Sequence, residues 1–153
     1  MKIEDVIKTT SPIAIDKKTM LSILYTSNVL SDRFYEVLKP YEVSAEQFNV
    51  LRILRGQKGN PCNMNLIQER MIAKTSNTTR LVDKLLTKDL VTRKICPANR
   101  RKMDVDITQK GLDLLKELDP IVEQHESSFS NNLTTEELLQ LNLLLEKYRT
   151  IKP

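Results

Sequence analysis

The chain has 153 residues, of which 24 are Lys or Arg, 20 are Asp or Glu and one is His. This length fits one domain with its own core, and the low content of three Gly and six Pro excludes a collagenous or low-complexity chain. No apolar run exceeds three residues, so neither a transmembrane helix nor a signal peptide is expected. The composition therefore indicates a soluble, cytoplasmic protein.

The basic residues are concentrated in one part of the chain. Between Arg70 and Lys102 there are ten Lys or Arg and only two acidic residues, Asp83 and Asp89, which gives this segment a charge of +8. The remaining 14 basic and 18 acidic residues give the rest of the chain a charge of −4. A basic block in an otherwise acidic protein is typical of a surface that binds a polyanion. A solvated surface that happens to be rich in cations is the alternative.

The first 16 residues show no strong apolar period, and Ser11-Pro12 interrupts any helix there, which predicts a tail or a short arm. From Lys17 to Pro40 apolar side chains recur at helical spacing and predict a first long helix. These side chains are Met20, Leu21, Leu24, Leu30, Phe34 and Leu38.

Two shorter helices are predicted next. The first begins at Ser44, whose spacing from Gln47 is that of a capping box, and it ends near Gly56 or Gly59. The second covers residues 65–71, where apolar side chains again recur on one side.

The segment from Thr75 to Lys88 predicts a helix with two different faces. Its first residues are of the types that cap helix N-termini. An apolar stripe at helical spacing consists of Thr78, Leu81, Val82 and Leu85. The opposite face carries Ser76, Asn77, Arg80, Lys84 and Thr87. One side of this helix should therefore be buried, while the other presents short polar groups and cations.

Two short strands should follow, over residues 90–96 and 102–107. In the second strand, apolar residues alternate with Asp104 and Asp106, which we expect to face solvent. The connecting segment contains Pro97 and carries Arg100 and Arg101. The pattern predicts a β-hairpin with a basic tip.

The remainder of the chain is predicted to be helical. Thr108 can cap one helix, which Pro120 should kink or divide because it removes a backbone hydrogen bond. Thr134 and Glu137 form a second capping-box pair, and leucines occur almost all round the helix that follows. A helix this apolar needs cover on more than one side, and a second copy of the chain can provide it.

These elements predict a mainly α-helical (α+β) single domain over residues 1–153, with a small β-hairpin wing. A winged helix-turn-helix spans residues 44–111, and it is flanked by an N-terminal arm and dimerisation helix (1–39) and by C-terminal dimerisation helices (112–153). The second helix of such a unit fits the major groove of DNA, and a basic wing can contact the backbone or the minor groove. The major-groove candidates are Ser76, Asn77, Thr79, Arg80 and Lys84, and the wing candidates are Arg100 and Arg101.

The stretch from Asn99 to Gly111 (NRRKMDVDITQKG) resembles the wing signature of MarR-family transcriptional regulators, and residues 67–85 (IQERMIAKTSNTTRLVDKL) are similar to that family's helix-turn-helix. Two positions differ from the family pattern. Asn99 replaces the usual Asp, which removes an ion pair with Arg101 across the wing. Ile72 replaces a turn Gly, and because a β-branched residue resists positive φ, we expect a differently built turn.

The resemblance implies a homodimer joined through its terminal helices, with two winged units on a pseudo-palindromic duplex and reading helices about 34 Å apart. It also implies a small-molecule effector, often aromatic or anionic, bound between the dimer helices and the DNA-binding part. We therefore expect a cytoplasmic, ligand-responsive repressor of transcription that performs no catalysis and uses neither a cofactor nor a metal.

Three other functions are considered. A winged helix can be a protein–protein module, whose basic face would bind an acidic partner. Cys62 or Cys96 could sense oxidants, although the resemblance places the reactive Cys of the family's peroxide sensors early in the first long helix, where this chain has none. An enzyme is disfavoured because His125 is the only histidine and no nucleophile–base pair, phosphate loop or metal set is present in the sequence. We expect His125 to lie on a helix surface or at an interface.

Overall fold

The computed structural model describes residues 1–60, 62–95 and 103–150. Over these ranges the chain is mainly helical with a small antiparallel sheet, which confirms the predicted fold class. In chain order the elements are α1 (Ile3–Val6), α2 (Ile15–Leu38), a short 3-10 helix (Lys39–Tyr41), α3 (Ala45–Gly56), β1 (Cys62–Asn63), α4 (Met64–Arg70), α5 (Thr78–Leu86), β2 (Val91–Ile95), β3 (Met103–Ile107), α6 (Gln109–Ser130) and α7 (Thr135–Arg149).

The N-terminal arm is short and includes one turn of helix, α1, that the sequence pattern did not predict. Its Ile3 is buried, and Glu4 forms an ion pair of 2.5 Å with Lys18 on α2. A four-residue helix is too short to display an apolar period, so it is held by these tertiary contacts and not by its own propensity. The long helix α2 begins two residues earlier than predicted, at Ile15.

The predicted caps are confirmed and define where three helices begin. Ser44 Oγ accepts the Gln47 N–H at 3.2 Å while Gln47 Oε1 accepts the Ser44 N–H at 3.0 Å. Thr134 and Glu137 form the same reciprocal pair, at 3.2 and 2.8 Å. Thr108 Oγ1 accepts the N–H of Gly111 at 3.1 Å at the start of α6. Each cap satisfies N–H groups that have no partner inside their helix.

The core lies between the end of α2, α3, α4, α5, the sheet and the first two-thirds of α6. Its fully buried large side chains are Leu38, Val50, Leu51, Ile67, Met71, Val82, Leu85, Val105, Leu115 and Leu118. Pro120 does not divide α6, which is continuous from Gln109 to Ser130, contrary to one of the two predicted outcomes. Leu118 and Val122 are buried on either side of Pro120, and this packing holds the helix together where one backbone bond is missing.

The sheet has three strands in the order β1-β3-β2, all antiparallel, whereas the sequence predicted only the β2–β3 hairpin. Val91 pairs with Ile107 and Ile95 with Met103, within the predicted strand ranges. The added strand β1 pairs Cys62 with Val105. A two-residue strand carries no alternation that a sequence pattern could reveal.

The prediction that Asp104 faces solvent is wrong, because Asp104 is buried, with only 9% of its surface exposed. Asn63 of β1 pairs with Asp104, so the third strand covers a position that a two-stranded hairpin would have left open. Asp106 is half-exposed and lies 4.0 Å from Lys94 Nζ.

The structure shows why the wing signature ends in a glycine, Gly111. A Cβ atom at this position would lie 2.4 Å from the carbonyl oxygen of Leu90 and 2.7 Å from Cγ1 of Ile107. The start of α6 therefore packs so closely against the ends of β2 and β3 that only glycine fits without displacing backbone.

The long helices α2 and α7 leave much apolar surface exposed in the single chain. All residues of α7 are described, and none of them is buried; Leu139 is 61% and Leu143 is 66% exposed. On α2, Met20 and Leu24 are about half exposed. Among the described helices, none is long and apolar enough to span a bilayer.

Candidate nucleic-acid interface

The connection between α4 and α5 is held by the side-chain amide of Gln68. Its Nε2 donates to the carbonyl of Lys74 at 2.7 Å, and its Oε1 accepts from the hydroxyl of Thr78, the first residue of α5. Sequence reasoning missed Gln68, because no local pattern indicates a contact across ten residues. One amide therefore joins the end of α4, the turn and the start of α5.

The turn contains no left-handed residue, as expected from Ile72. Residues 71–77 are all described, and none of them has a positive φ. The Ser76 N–H donates to the Ala73 carbonyl at 3.1 Å. The side chain of Ile72 itself is 88% exposed. The turn thus depends on these hydrogen bonds in place of a glycine.

The helix α5 begins at Thr78, three residues later than the predicted start, because Asn77 is its N-cap. Asn77 Oδ1 accepts the N–H of Arg80 at 3.0 Å. Bidentate contact with adenine uses both the oxygen and the nitrogen of an Asn amide, and here the oxygen is already engaged in capping. Ser76 and Asn77 therefore precede the helix, whereas the sequence had predicted that they lie on its exposed face.

The two faces of α5 agree with the predicted pattern. Thr78, Val82 and Leu85 are buried and Leu81 is half-buried. Of the predicted DNA-binding residues, Ser76 is half-buried. Four others are exposed, at the N-terminus of α5 and along one side of it, namely Asn77, Thr79, Arg80 and Lys84. The wing residues Arg100 and Arg101, together with Cys96 and Asn99, lie outside the described residues.

The cations of the basic block differ in their partners. Lys88 Nζ donates to the Glu42 carbonyl, and Lys110 Nζ donates to the Lys88 carbonyl at 2.8 Å, so both brace the chain where α5 ends. Arg93 on β2 pairs with Asp83 on α5 at 2.6 Å. Within the described residues, neither Arg80 nor Lys84 forms an ion pair. The side chains of these two cations are therefore available to bind an external anion.

A cleft of about 220 Å³ lies between α3 and α6. Its lining consists of Phe48, Arg52, Arg55, Asp119, Val122, Glu123 and Glu126. Arg55 makes two hydrogen bonds to the Asp119 carboxylate, at 2.6 and 2.9 Å. This bonding lowers the pKa of Asp119 and raises that of Arg55, because both charged forms are stabilised.

Aromatic side chains join α2, α3 and α6 beside this cleft. The ring centroids of Phe34 and Phe48 are 5.6 Å apart. His125 is stacked on Phe34 at 5.5 Å and meets Phe129 edge-on at 5.1 Å. His125 is half-buried on α6, where it contacts α2 of the same chain.

Cys62 is fully buried, and burial raises the pKa of its thiol. Since the thiolate is the reactive form, this environment disfavours oxidant sensing at Cys62. No group of three or more His, Cys, Asp or Glu is placed to hold a metal in the described part of the chain.

Comparison with known proteins identifies similar transcriptional regulators. A model of the MarR family matches residues 43–103. The HTH-type transcriptional regulator MhqR of Bacillus subtilis (strain 168) is 30% identical over 101 residues, which are 66% of this chain and 67% of MhqR. The crystal structure of a MarR transcription factor from Planctomyces limnophilus is 31% identical, with a TM-score of 0.69 over 89% of this chain and 98% of that one.

The fold is also shared at lower identity. The structure of Bordetella bronchiseptica BpsR, which concerns the regulation of its DNA binding by 6-hydroxynicotinic acid, has a TM-score of 0.79. The two proteins are 22% identical, and the match covers 93% of this chain and 100% of BpsR.

Proposed function

This chain belongs to the MarR family of transcriptional regulators, and from that premise we propose that it is a cytoplasmic homodimer that binds a pseudo-palindromic operator sequence-specifically and represses transcription until a small molecule releases it. The observation that carries the proposal is the exposed side of α5, where Arg80 and Lys84 have no ion-pair partner within the described residues. A slim helix of this kind enters the major groove with its N-terminal residues facing the base edges.

The proposed contacts follow from the placement of each side chain. Arg80, in the first turn of α5, is exposed and suited to the N7 and O6 acceptors of guanine. Lys84 lies one turn further on and suits a phosphate. Asn77, with its oxygen engaged in capping, supplies Nδ2 as a donor, and Thr79 supplies a hydroxyl. We propose Ser76 as a further major-groove contact, to a base or a phosphate, and Arg100 and Arg101 as wing contacts.

The homodimer is supported by the apolar surface of the two terminal helices. We assign residues 1–39 and 112–153 to dimerisation and residues 44–111 to DNA binding. Leu139 and Leu143 on α7 are mostly exposed in the single chain, and a helix with apolar residues on several sides requires cover. A two-fold dimer would set its two α5 helices about 34 Å apart, one helical turn of DNA.

The first experiment is fluorescence anisotropy of the purified protein with duplexes from its own upstream region and with scrambled duplexes of the same composition. We expect at least about a thousandfold tighter binding to one upstream duplex, with affinity that falls steeply as salt increases. If the upstream duplexes are bound no better than scrambled ones, selection from random duplexes comes next. Failure of that selection would contradict the proposal and would favour a module that binds an acidic protein.

Release by a small molecule is supported by the cleft between α3, which belongs to the DNA-binding part, and α6, which leads to α7. Its Arg52 guanidinium lies 5.8 Å from the centroid of the Phe48 ring. A cation beside an aromatic ring suits a small aromatic acid, although three carboxylates of α6 also line the cleft. The similar protein BpsR is regulated by such an acid.

We would measure the operator affinity in the presence of hydroxylated benzoic and nicotinic acids. An effector should weaken DNA binding by about 5- to 150-fold, and DNA should weaken effector binding by the same factor. Arg52→Gln should abolish the response while leaving operator affinity in the absence of effector within about twofold. Reduced transcription from an operator-bearing template upon addition of the protein would establish repression, and increased transcription would contradict it.

A further inference from the structure

One ion pair joins the exposed side of α5 to the wing strand β2. Arg93 Nη2 lies 2.6 Å from Asp83 Oδ1. Asp83 follows Arg80 by one turn and directly precedes Lys84, so its carboxylate belongs to the part of α5 assigned to DNA. Arg93 is the central residue of β2, where it pairs with Val105 of β3. The bond therefore links the reading helix to the middle of the β2–β3 ribbon.

The environment of Arg93 differs from that of an ordinary surface cation. Its side chain is 27% exposed, against 73% for the neighbouring Lys94. Arg93 Nε is buried and has no hydrogen-bond partner within the described residues. Within the described residues, the side-chain partner of this guanidinium is Asp83, through one charge-assisted hydrogen bond, a kind that is stronger than a bond between neutral groups.

The opposite side of the same junction is apolar and tightly packed. Leu85, Leu90 and Val91 are buried, and the Leu90 N–H donates to the Leu85 carbonyl at 3.0 Å. This packing acts at one end of β2, where the chain leaves α5. The ion pair acts two residues further along the strand, on the solvent side. The packing and the ion pair therefore attach β2 to α5 at two separate points, in addition to the pairing of β3 with β1.

Asp83 is also the only acidic residue in the sequence of α5. A free carboxylate beside Arg80 and Lys84 would repel the phosphates of a duplex. Paired with Arg93, the carboxylate forms part of a pair with no net charge.

We propose that Arg93 is a positioning residue for operator recognition: through its ion pair with Asp83 it sets the angle of the wing to α5 and neutralises the carboxylate on the reading helix. This inference rests on the proposed function, since it concerns the same DNA-binding surface. It assigns to Arg93 no direct contact with a base.

The test is a double-mutant cycle with Arg93→Ala, Asp83→Asn and the double variant, read by anisotropy as the ratio of specific to scrambled affinity. Arg93→Ala should lower this ratio roughly three- to tenfold, and Asp83→Asn should also lower it, even though it removes a negative charge. In the Asp83→Asn background, Arg93→Ala should change the ratio less than twofold. Asp83→Asn should also restore the scrambled-duplex affinity that Arg93→Ala loses.

Lys94→Ala is the matched control, because it removes a cation from the next position of the same strand. It should weaken both duplexes by a similar factor and leave the ratio unchanged. The proposal is overturned if Arg93→Ala behaves like this control, or if it lowers the ratio equally in both backgrounds, since Arg93 would then act without Asp83. Absence of selectivity in the wild type would instead overturn the proposed function, and this inference with it.

A fold defect is separated from a positioning defect by a second variant. Circular dichroism and Tm are recorded for each protein, and if Arg93→Ala is unfolded at the assay temperature, Arg93→Gln replaces it. Gln keeps part of the side-chain length but carries no charge, so it cannot form the ion pair with Asp83. The ratio should fall, and an unchanged ratio would overturn the proposal.

Discussion

Replacement of Gly111 by alanine should destabilise the protein, although alanine favours helix. The added Cβ would meet the Leu90 carbonyl oxygen at 2.4 Å and Ile107 Cγ1 at 2.7 Å. The Leu90 carbonyl accepts the Thr108 N–H at 3.1 Å, so it cannot retreat without weakening the bond that starts α6. Relief of the overlap therefore requires a shift of backbone at the junction of α6 with the sheet.

The magnitude follows from opposing contributions. Overpacking of a tight contact costs about 1–3 kcal/mol, and the weakened backbone bond costs about 1 kcal/mol. The helix propensity of alanine offsets up to about 1 kcal/mol. The net loss in the free energy of unfolding should be about 2 kcal/mol, or roughly 4–8 °C in Tm for a chain of this size.

Gly56→Ala is the matched control, because its Cβ at the end of α3 would meet no described atom within 4 Å other than its chain neighbours and the backbone of its own helix. It should leave stability unchanged or raise it by up to about 1 kcal/mol. Both variants are measured by urea denaturation followed by circular dichroism, at one protein concentration because dimerisation affects apparent stability. If Gly111→Ala is as stable as Gly56→Ala, the close approach inferred for α6 and the sheet is refuted.

Three further predictions concern DNA, pH and assembly. Arg80→Ala should weaken specific binding by about 1–3 kcal/mol in anisotropy titrations, and an equal loss with scrambled DNA would show a phosphate contact in place of base reading. Bonding to Arg55 lowers the pKa of Asp119. Above pH 5 the wild type should therefore be more stable than Asp119→Asn by about 0.5–1 kcal/mol. The difference is modest because both side chains are over a third exposed. That advantage should fade as the pH drops through the lowered pKa, and an advantage that grows in acid would contradict this sign. Leu143→Glu should convert the dimer to a monomer in analytical sedimentation, whereas the exposed control Asn142→Asp should remain a dimer. A dimeric Leu143→Glu would exclude this part of α7 from the interface.

Much of the chain's organisation was predictable because helix caps and amphipathic stripes are local. Ser44 with Gln47, and Thr134 with Glu137, interact over three residues, so the sequence contains the whole interaction. The buried stripe of α5 repeats within two turns, and its exposed cations follow from the same period. The wing signature is equally compact, and its Gly111 has a clear steric meaning in the structure.

Local rules were less successful where several local solutions compete. Thr75, Ser76 and Asn77 are all able to cap a helix, and the choice of Asn77 is made by tertiary contacts. The Thr78 hydroxyl bonds to Gln68 on the preceding helix, which fixes where α5 starts. The role of Asn77 changes as a result, because its oxygen is used by the helix that it begins.

By itself, then, the sequence determined the order of the helices from α2 onwards and of the two hairpin strands, the caps of α3, α6 and α7, and the cationic side of α5, because each depends on residues within one or two helical turns. The tertiary structure decided the short strand β1, the burial of Asp104 beside it in the sheet, and the two ion pairs of Arg55 with Asp119 and Arg93 with Asp83. The Arg55 pair joins residues 64 apart and the Arg93 pair residues 10 apart, on different elements. No local period records such pairings, because they come into being only when the core has brought the elements together.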